Sequence, residues 1–266
     1  MAGYYIYNKL PRIVKGVQDA MQGSYLGPEY DQRDIEARLA QVGAVWSVFS
    51  EESIIDETAK SLAEGKAVGW MQGRMEFGPR SLGARSILGD PRAPNMQQIL
   101  NLKVKYRESF RPFAPSVLRE ELEKWFELDS DSPYMLLVAP VRNELRLKNS
   151  AEEDALFGID KLNVVRSSIP AVTHVDYSAR IQTVHSDTNP KYYSLINKFK
   201  SLTGCPIVIN TSFNVRGEPI VNTPEDAFHC FMGTGIEVLV IGNCFLRKED
   251  QDPSLALNYE EAFELD

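Results

Sequence analysis

Residues 189–221 read NPKYYSLINKFKSLTGCPIVINTSFNVRGEPIV, and the hydrophobic period changes partway through. Tyr192, Ile196, Phe199 and Leu202 recur at the spacing of one helical face, and Gly204 closes the helix. PIVIN is a short apolar run of the buried-strand kind, NTSFNVRG a polar loop and EPIV a further strand. A helix that feeds a strand, with polar groups gathered at the strand's carboxyl end, is the pattern of an open α/β sheet, where ligands commonly sit.

Working outward, TPEDAFHCFMGTG predicts a helix with Thr223 as cap, Pro224 first and Asp226 completing an approximate capping pattern. VLVIGNCFLRK predicts two strands about a Gly-Asn turn. Upstream, SEESIIDETAKSLAEGK is a helix with Ser53 as cap and a stripe of Ile54, Ile55, Ala59, Leu62 and Ala63, ended by Gly65. AVGWMQ, RSIL and FAPSVL read as strands, APNMQQILNLKVK and REELEKWF as helices, and YMLLVAPV as a buried strand. AVTHVD and RIQTVH are strand-like, and the charged stretch 141–165 reads as a mobile insertion. IVKGVQDAMQ reads as a short helix, SYLGPEYDQRD as a linker, and the acidic tail from Glu249 as loose. Helices alternate with strands, yet short turns also join neighbouring strands, so the expected sheet is mixed.

The 266 residues carry a net charge of −8 and are 43% apolar, an ordinary globular composition. This acidity argues against broad adhesion to nucleic acid or anionic membranes. Three cysteines without CxxC spacing read as buried thiols of a reducing compartment. The amino-terminal stretch lacks a signal-peptide core, and no apolar run reaches membrane-spanning length, so the expected location is cytoplasmic. The sequence contains no P-loop, no HxxxH or HExxH and no GxSxG, and no metal site is expected. GTGIEV at 233–238 lacks the third glycine of a dinucleotide fingerprint; its glycines read as a left-handed helix end.

One asymmetry stands out. Residues 73–111 hold eight bases and three acids, a net +5 that leaves −13 for the remainder. Arg80, Arg85, Lys105 and Arg111 among glycine and proline turns would suit a polyanion, since guanidinium groups meet phosphate or carboxylate oxygens two at a time; pairing with the surplus acids is the plain alternative. Asn210, Thr211, Ser212 and Asn214, with Arg216 and Gly217 after them, suit ribose, base or phosphate, or serve only as turn formers. His174 in VTHVD reads as a mid-strand histidine, more structural than functional. Arg180 in YSARIQ, on a strand, requires an anion or a carboxylate partner.

GRMEFGPRSLGARSIL, NLKVKYRESFRPFAPSVL, VTHVDYSARIQTV and INTSFNVRGEPIVNTPEDAFHCF, in that order, resemble the carboxyl-terminal half of O-carbamoyltransferases of the nodulation-factor and antibiotic type. The resemblance implies an α/β fold, a YrdC-like twisted mixed sheet (parallel and antiparallel) flanked by helices. It implies that this half makes carbamoyl-adenylate from carbamoyl phosphate and ATP, with magnesium arriving on the ATP. An actin-like, metal-holding transferase domain, in the same or a separate chain, would pass the carbamoyl group to a hydroxyl acceptor. The HxxxH of that domain is absent. Residues 1–30 then read as its remnant plus linker, 31–250 as the adenylate-forming domain and 251–266 as an acidic tail. By the same resemblance Arg80, Lys105 and Arg111 are the catalytic phosphate binders. Arg74, Arg85, Ser86, His174, Arg180, Asn210, Thr211, Ser212, Asn214 and Arg216 complete the substrate and nucleotide site. Alternatives are an RNA-binding module of the YrdC type, from the aromatics interleaved in KVKYRESFRPF, and a non-catalytic docking domain.

Overall fold

The computed structural model describes residues 2–10, 21–162 and 164–256. Its centre is a mixed nine-stranded sheet in the order β1-β9-β8-β2-β3-β7-β4-β6-β5. The strands are β1 (Ser47–Val48), β2 (Val68–Met71), β3 (Arg85–Gly89), β4 (Ala114–Leu118), β5 (Leu137–Pro140), β6 (Ser178–Val184), β7 (Ile207–Ser212), β8 (Val238–Ile241) and β9 (Cys244–Arg247). β2 runs parallel to β8 and β4 parallel to β6; every other neighbouring pair is antiparallel. The middle strands β2, β3 and β4 are buried along their whole length, as strands covered on both faces must be.

Among the described residues, five helices of eight or more residues flank the sheet: α1 (Gln32–Gln41), α2 (Glu51–Ala63), α3 (Met96–Lys103), α4 (Pro190–Thr203) and α5 (Pro224–Met232). α2 packs on α4, and α1 on α5. α5 has the expected capping box: Thr223 and Asp226 each accept the other's backbone N–H, satisfying two donors that a helix start leaves open. Gly65 and Gly204 follow their helices at φ +80° and +76°. The β8–β9 hairpin turns at Gly242-Asn243, and the three cysteines are free and buried.

Several local expectations are corrected. Ser50, not Ser53, caps α2 by accepting the Ser53 amide. The buried face of α4 holds Leu195 with Tyr192, Ile196 and Phe199, while Leu202, in the last turn, lies 47% exposed. AVTHVD forms a 3-10 turn over Pro170–Val172 and a loop, so His174 is not on a strand. EPIV is not a strand either: the chain turns at Arg216-Gly217, and only Val221 N bonds back to the Phe213 carbonyl. YMLLVAPV supplies the edge strand β5, with Leu136, Leu137 and Val138 exposed. REELEKWF is a 3-10 turn followed by a single α turn. α5 ends before Gly233 at φ −81°, so that glycine is not left-handed. Gly235 instead lets the chain approach α3, where a Cβ would stand 2.8 Å from Lys103 Cβ.

The stretch read as a linker is bound to the body. Gly27 N donates to the Met75 carbonyl, Met75 N to Pro28, Phe77 N to Ser24 and Tyr25 Oη to Leu82. The stretch 141–165 contains three short helical turns, Asn143–Leu145, Ala151–Asp154 and Ile159–Leu162. The start of the expected tail is anchored, because buried Gln251 exchanges hydrogen bonds with the backbone of Val45. The helix expected over 13–22 falls mostly outside the described residues, as does the tail beyond 256.

Candidate functional site

The antiparallel registers Leu88↔Asn210 and Ala114↔Asn210 set Asn210 of β7 between β3 and β4, in the middle of the sheet. Asn210 Nδ2 donates to the Ser81 carbonyl at 3.1 Å and to Gln182 Oε1 at 2.8 Å. Gln182, on β6, also accepts from Ser116 Oγ of β4 at 2.6 Å and donates to the Leu82 carbonyl at 2.8 Å. This network ties three strands to the turn 78–84. A second device shapes that turn. Buried Glu76 Oε1 accepts from the amides of Leu82 and Ala84, each at 2.6 Å, so one carboxylate gathers backbone donors that the turn cannot pair by itself.

Over this floor opens a cleft of about 140 Å³, whose walls include Arg80, Arg107, Arg180, Asn210, Thr211 and Ser212. No acidic side chain lines it. Three arginines therefore line one small space. Burial lowers the Arg180 pKa, and the Arg80 charge lowers it further. Burial likewise brings Arg107 down to about 10, with Arg111 adding to the fall; its guanidinium lies over the Phe113 ring at 5.0 Å and donates to Asn101 Oδ1.

Three polar atoms of the cleft residues are buried and unbonded: Ser81 Oγ, Arg180 Nε and Asn210 Oδ1. Each such atom carries a desolvation cost of about 1–3 kcal/mol until a partner arrives. Together they ask for a ligand with both acceptor and donor atoms. A cavity of about 150 Å³ takes a benzene-sized molecule, so this cleft suits a small phosphorylated compound. With no carboxylate on its walls, magnesium would be held by phosphate oxygens. Among the described residues no group of three or more His, Cys, Asp or Glu is placed to hold a metal ion.

Only part of the expected site converges here. Arg80, Arg180, Asn210, Thr211 and Ser212 line the cleft. Lys105 lies beneath it, 3% exposed. Its Nζ donates to the carbonyls of Ser212 and Asn214, to Asn214 Oδ1 at 2.8 Å and to Ser212 Oγ at 3.2 Å. Lys105 thus fastens the NTSFN loop. Burial pushes its pKa down to about 7, while the four oxygens around Nζ favour the ammonium form. Asn214 completes the clamp and donates to the Glu218 carbonyl.

Arg85 is fully buried and spends its guanidinium on the carbonyls of Gln72, Gly73, Ala84 and Pro28. Ser86 Oγ is buried, accepting from Gly83 N. Arg74 is exposed, bonded to the Gly27 carbonyl and facing Glu29 at 3.6 Å. Arg111 pairs with Glu108 at 3.0 Å, and the Arg216 charge also acts on that carboxylate. His174 lines a different cavity, with its Nδ1 at 3.3 Å from Ser178 Oγ. Arg107, Glu76, Ser81 and Gln182 also belong to the cleft or its supports, though the sequence does not mark them as site residues. For Arg107 a signal was present, a base between Tyr106, Phe110 and Phe113; for the other three there was none.

The family model described as "Carbamoyltransferase C-terminus" matches residues 59–248. The uncharacterized protein sll1178 of Synechocystis is 58% identical over 251 residues, covering 93% of this chain and 41% of that protein. The nodulation protein NolNO of Sinorhizobium fredii is 39% identical over 89% of this chain and 32% of its own length. The 3'-hydroxymethylcephem-O-carbamoyltransferase of Amycolatopsis lactamdurans is 35% identical over 73% of this chain and 33% of its own. The matched part of the chain thus spans between about a third and two fifths of the length of these relatives.

Proposed function

The chain belongs to the carbamoyltransferase C-terminus family, and from that membership we propose that it forms carbamoyl-adenylate from carbamoyl phosphate and ATP, for transfer to a hydroxyl acceptor by a domain outside this sequence. The observation that carries the reading is the cleft: three arginines, no acid, and the unbonded Ser81 Oγ, Arg180 Nε and Asn210 Oδ1. Carbamoyl phosphate matches that list. Its phosphate oxygens accept from Arg80, Arg107 and Arg180, and its amide NH₂ donates to Asn210 Oδ1.

Water first displaces phosphate to give carbamate. A carbamate oxygen then attacks the α-phosphorus of ATP, and pyrophosphate leaves. No protein nucleophile is required; alignment and stabilisation of the phosphate charge carry the reaction. Asn210 holds the carbamoyl end, and the arginines hold the phosphates that approach and depart. Thr211 and Ser212 present hydroxyls at the mouth, on a loop that Lys105 keeps in place. Carbamate is labile in water, which favours a small preorganised cleft over an open one.

The test is pyrophosphate release from ATP and magnesium, dependent on carbamoyl phosphate. Wild-type protein should release it, and Arg180→Met should be slower by about a hundredfold. Release that is independent of carbamoyl phosphate, or unchanged in Arg180→Met, would overturn the proposal.

A further inference from the structure

Two cavities of about 320 Å³ each are lined by Gln97, Leu162 and Arg166, and one of them shares Pro112 with the arginine cleft. One runs along Pro94, Asn95 and Pro170, the other along Phe110, His174 and Val175. Each is of the size that takes a small organic ligand, roughly 300 Å³ and upward.

Arg166 is the charged group common to both, and it is 5% exposed. Its backbone is pinned, since Leu147 N donates to the Arg166 carbonyl at 2.8 Å. Its Nη1 donates to the carbonyls of Leu162 at 3.2 Å and Val164 at 2.9 Å, but its Nη2 is buried and has no partner. Burial lowers the Arg166 pKa, and no carboxylate offsets the fall. The acid on these walls, Asp176, is already engaged by the amide and hydroxyl of Ser178. A guanidinium stays charged in any protein, and a buried charge with spare N–H donors is unfavourable until an acceptor reaches it.

We propose that Arg166 and the paired cavities at Gln97 and Leu162 form a second binding site, for a small carboxylic acid with an apolar body. The carboxylate meets Arg166, and the body lies along Phe110, Leu162 and Val175. One unspent nitrogen of a single arginine matches a monoanion. A phosphate dianion wants several cations, as the three arginines of the neighbouring cleft supply. The proposal goes beyond the carbamoyl-adenylate reading and does not depend on it.

Benzoate is the probe, titrated calorimetrically into the full chain at millimolar concentrations with phenyl phosphate as comparison. Benzoate should bind wild-type protein and Arg180→Met equally, since Arg180 belongs to the other cleft. Its affinity should fall about tenfold or more in Arg166→Met, from loss of a charge-assisted hydrogen bond. Leu162→Trp, which adds bulk where the two cavities share a wall and leaves Arg166 in place, should also weaken binding and separates site loss from misfolding. Absence of benzoate binding to the wild type overturns the proposal. So does a benzoate affinity in Arg166→Met or Leu162→Trp equal to that of the wild type, and so does tighter binding of phenyl phosphate that survives Arg180→Met.

Discussion

A Cβ on Gly83 would stand 2.2 Å from Cδ1 of Tyr192, at a backbone φ of +104° that side chains rarely adopt. The turn that carries Arg80 is therefore seated on α4 through a residue that must be glycine. Gly83→Ala should destabilise the fold by about 1–3 kcal/mol or more, as overpacking does, read as a lower urea midpoint. Lys105 allows a test with a sign. Its folded pKa of about 7 lies below the unfolded value of about 10.4, so the unfolded chain binds more protons between these limits. Stability should then rise with pH from about 7 towards 10 in the wild type relative to Lys105→Met. An absence of that slope would mean that the four oxygens around Nζ outweigh burial. The contrast between Arg74 and Arg180 is sharper still. Both read alike in the sequence, but Arg74 is exposed beside Glu29 while Arg180 lines the cleft with an unbonded Nε. Arg74→Met should leave pyrophosphate release within about twofold, against the roughly hundredfold loss for Arg180→Met.

At the scale of elements, the signals that survived folding were local ones. The box of Thr223 and Asp226 on α5 is written in four adjacent residues and formed as expected; Thr223→Ala should cost about 1 kcal/mol in urea unfolding. Strand against loop was harder to read. VTHVD and EPIV have strand composition, yet neither finds a partner in the sheet, and a strand exists only where another backbone completes its hydrogen bonds. The apolar YMLLVAPV reads as a buried strand, because composition does not say whether a neighbour lies on both sides. β5 pairs with β6 alone, and an exposed edge bearing Leu136, Leu137 and Val138 is a surface prone to self-association. Leu136→Lys, at a 70% exposed position outside the β5–β6 register, should reduce concentration-dependent light scattering without moving the unfolding midpoint.

At the scale of the molecule, a net charge of −8 surrounds a cleft walled by three arginines. The asymmetry of the basic segment was plain in the sequence, but only five of the thirteen proposed contacts reach the cleft: Arg80, Arg180, Asn210, Thr211 and Ser212. The alternation of helix with strand, the caps of α5, the β8–β9 turn and the excess of bases over 73–111 were settled by residue order, because each depends on neighbours within a few positions. Which bases stay free was decided only when β3, β4, β6 and β7 came together. The same charge becomes a structural brace when carbonyls surround it, as in Arg85 and Lys105, and lines the cleft with an unbonded nitrogen where no acceptor reaches it, as in Arg180. That difference rests on contacts between residues as far apart in sequence as Lys105 and Ser212, and chain order holds no record of them until the sheet has formed.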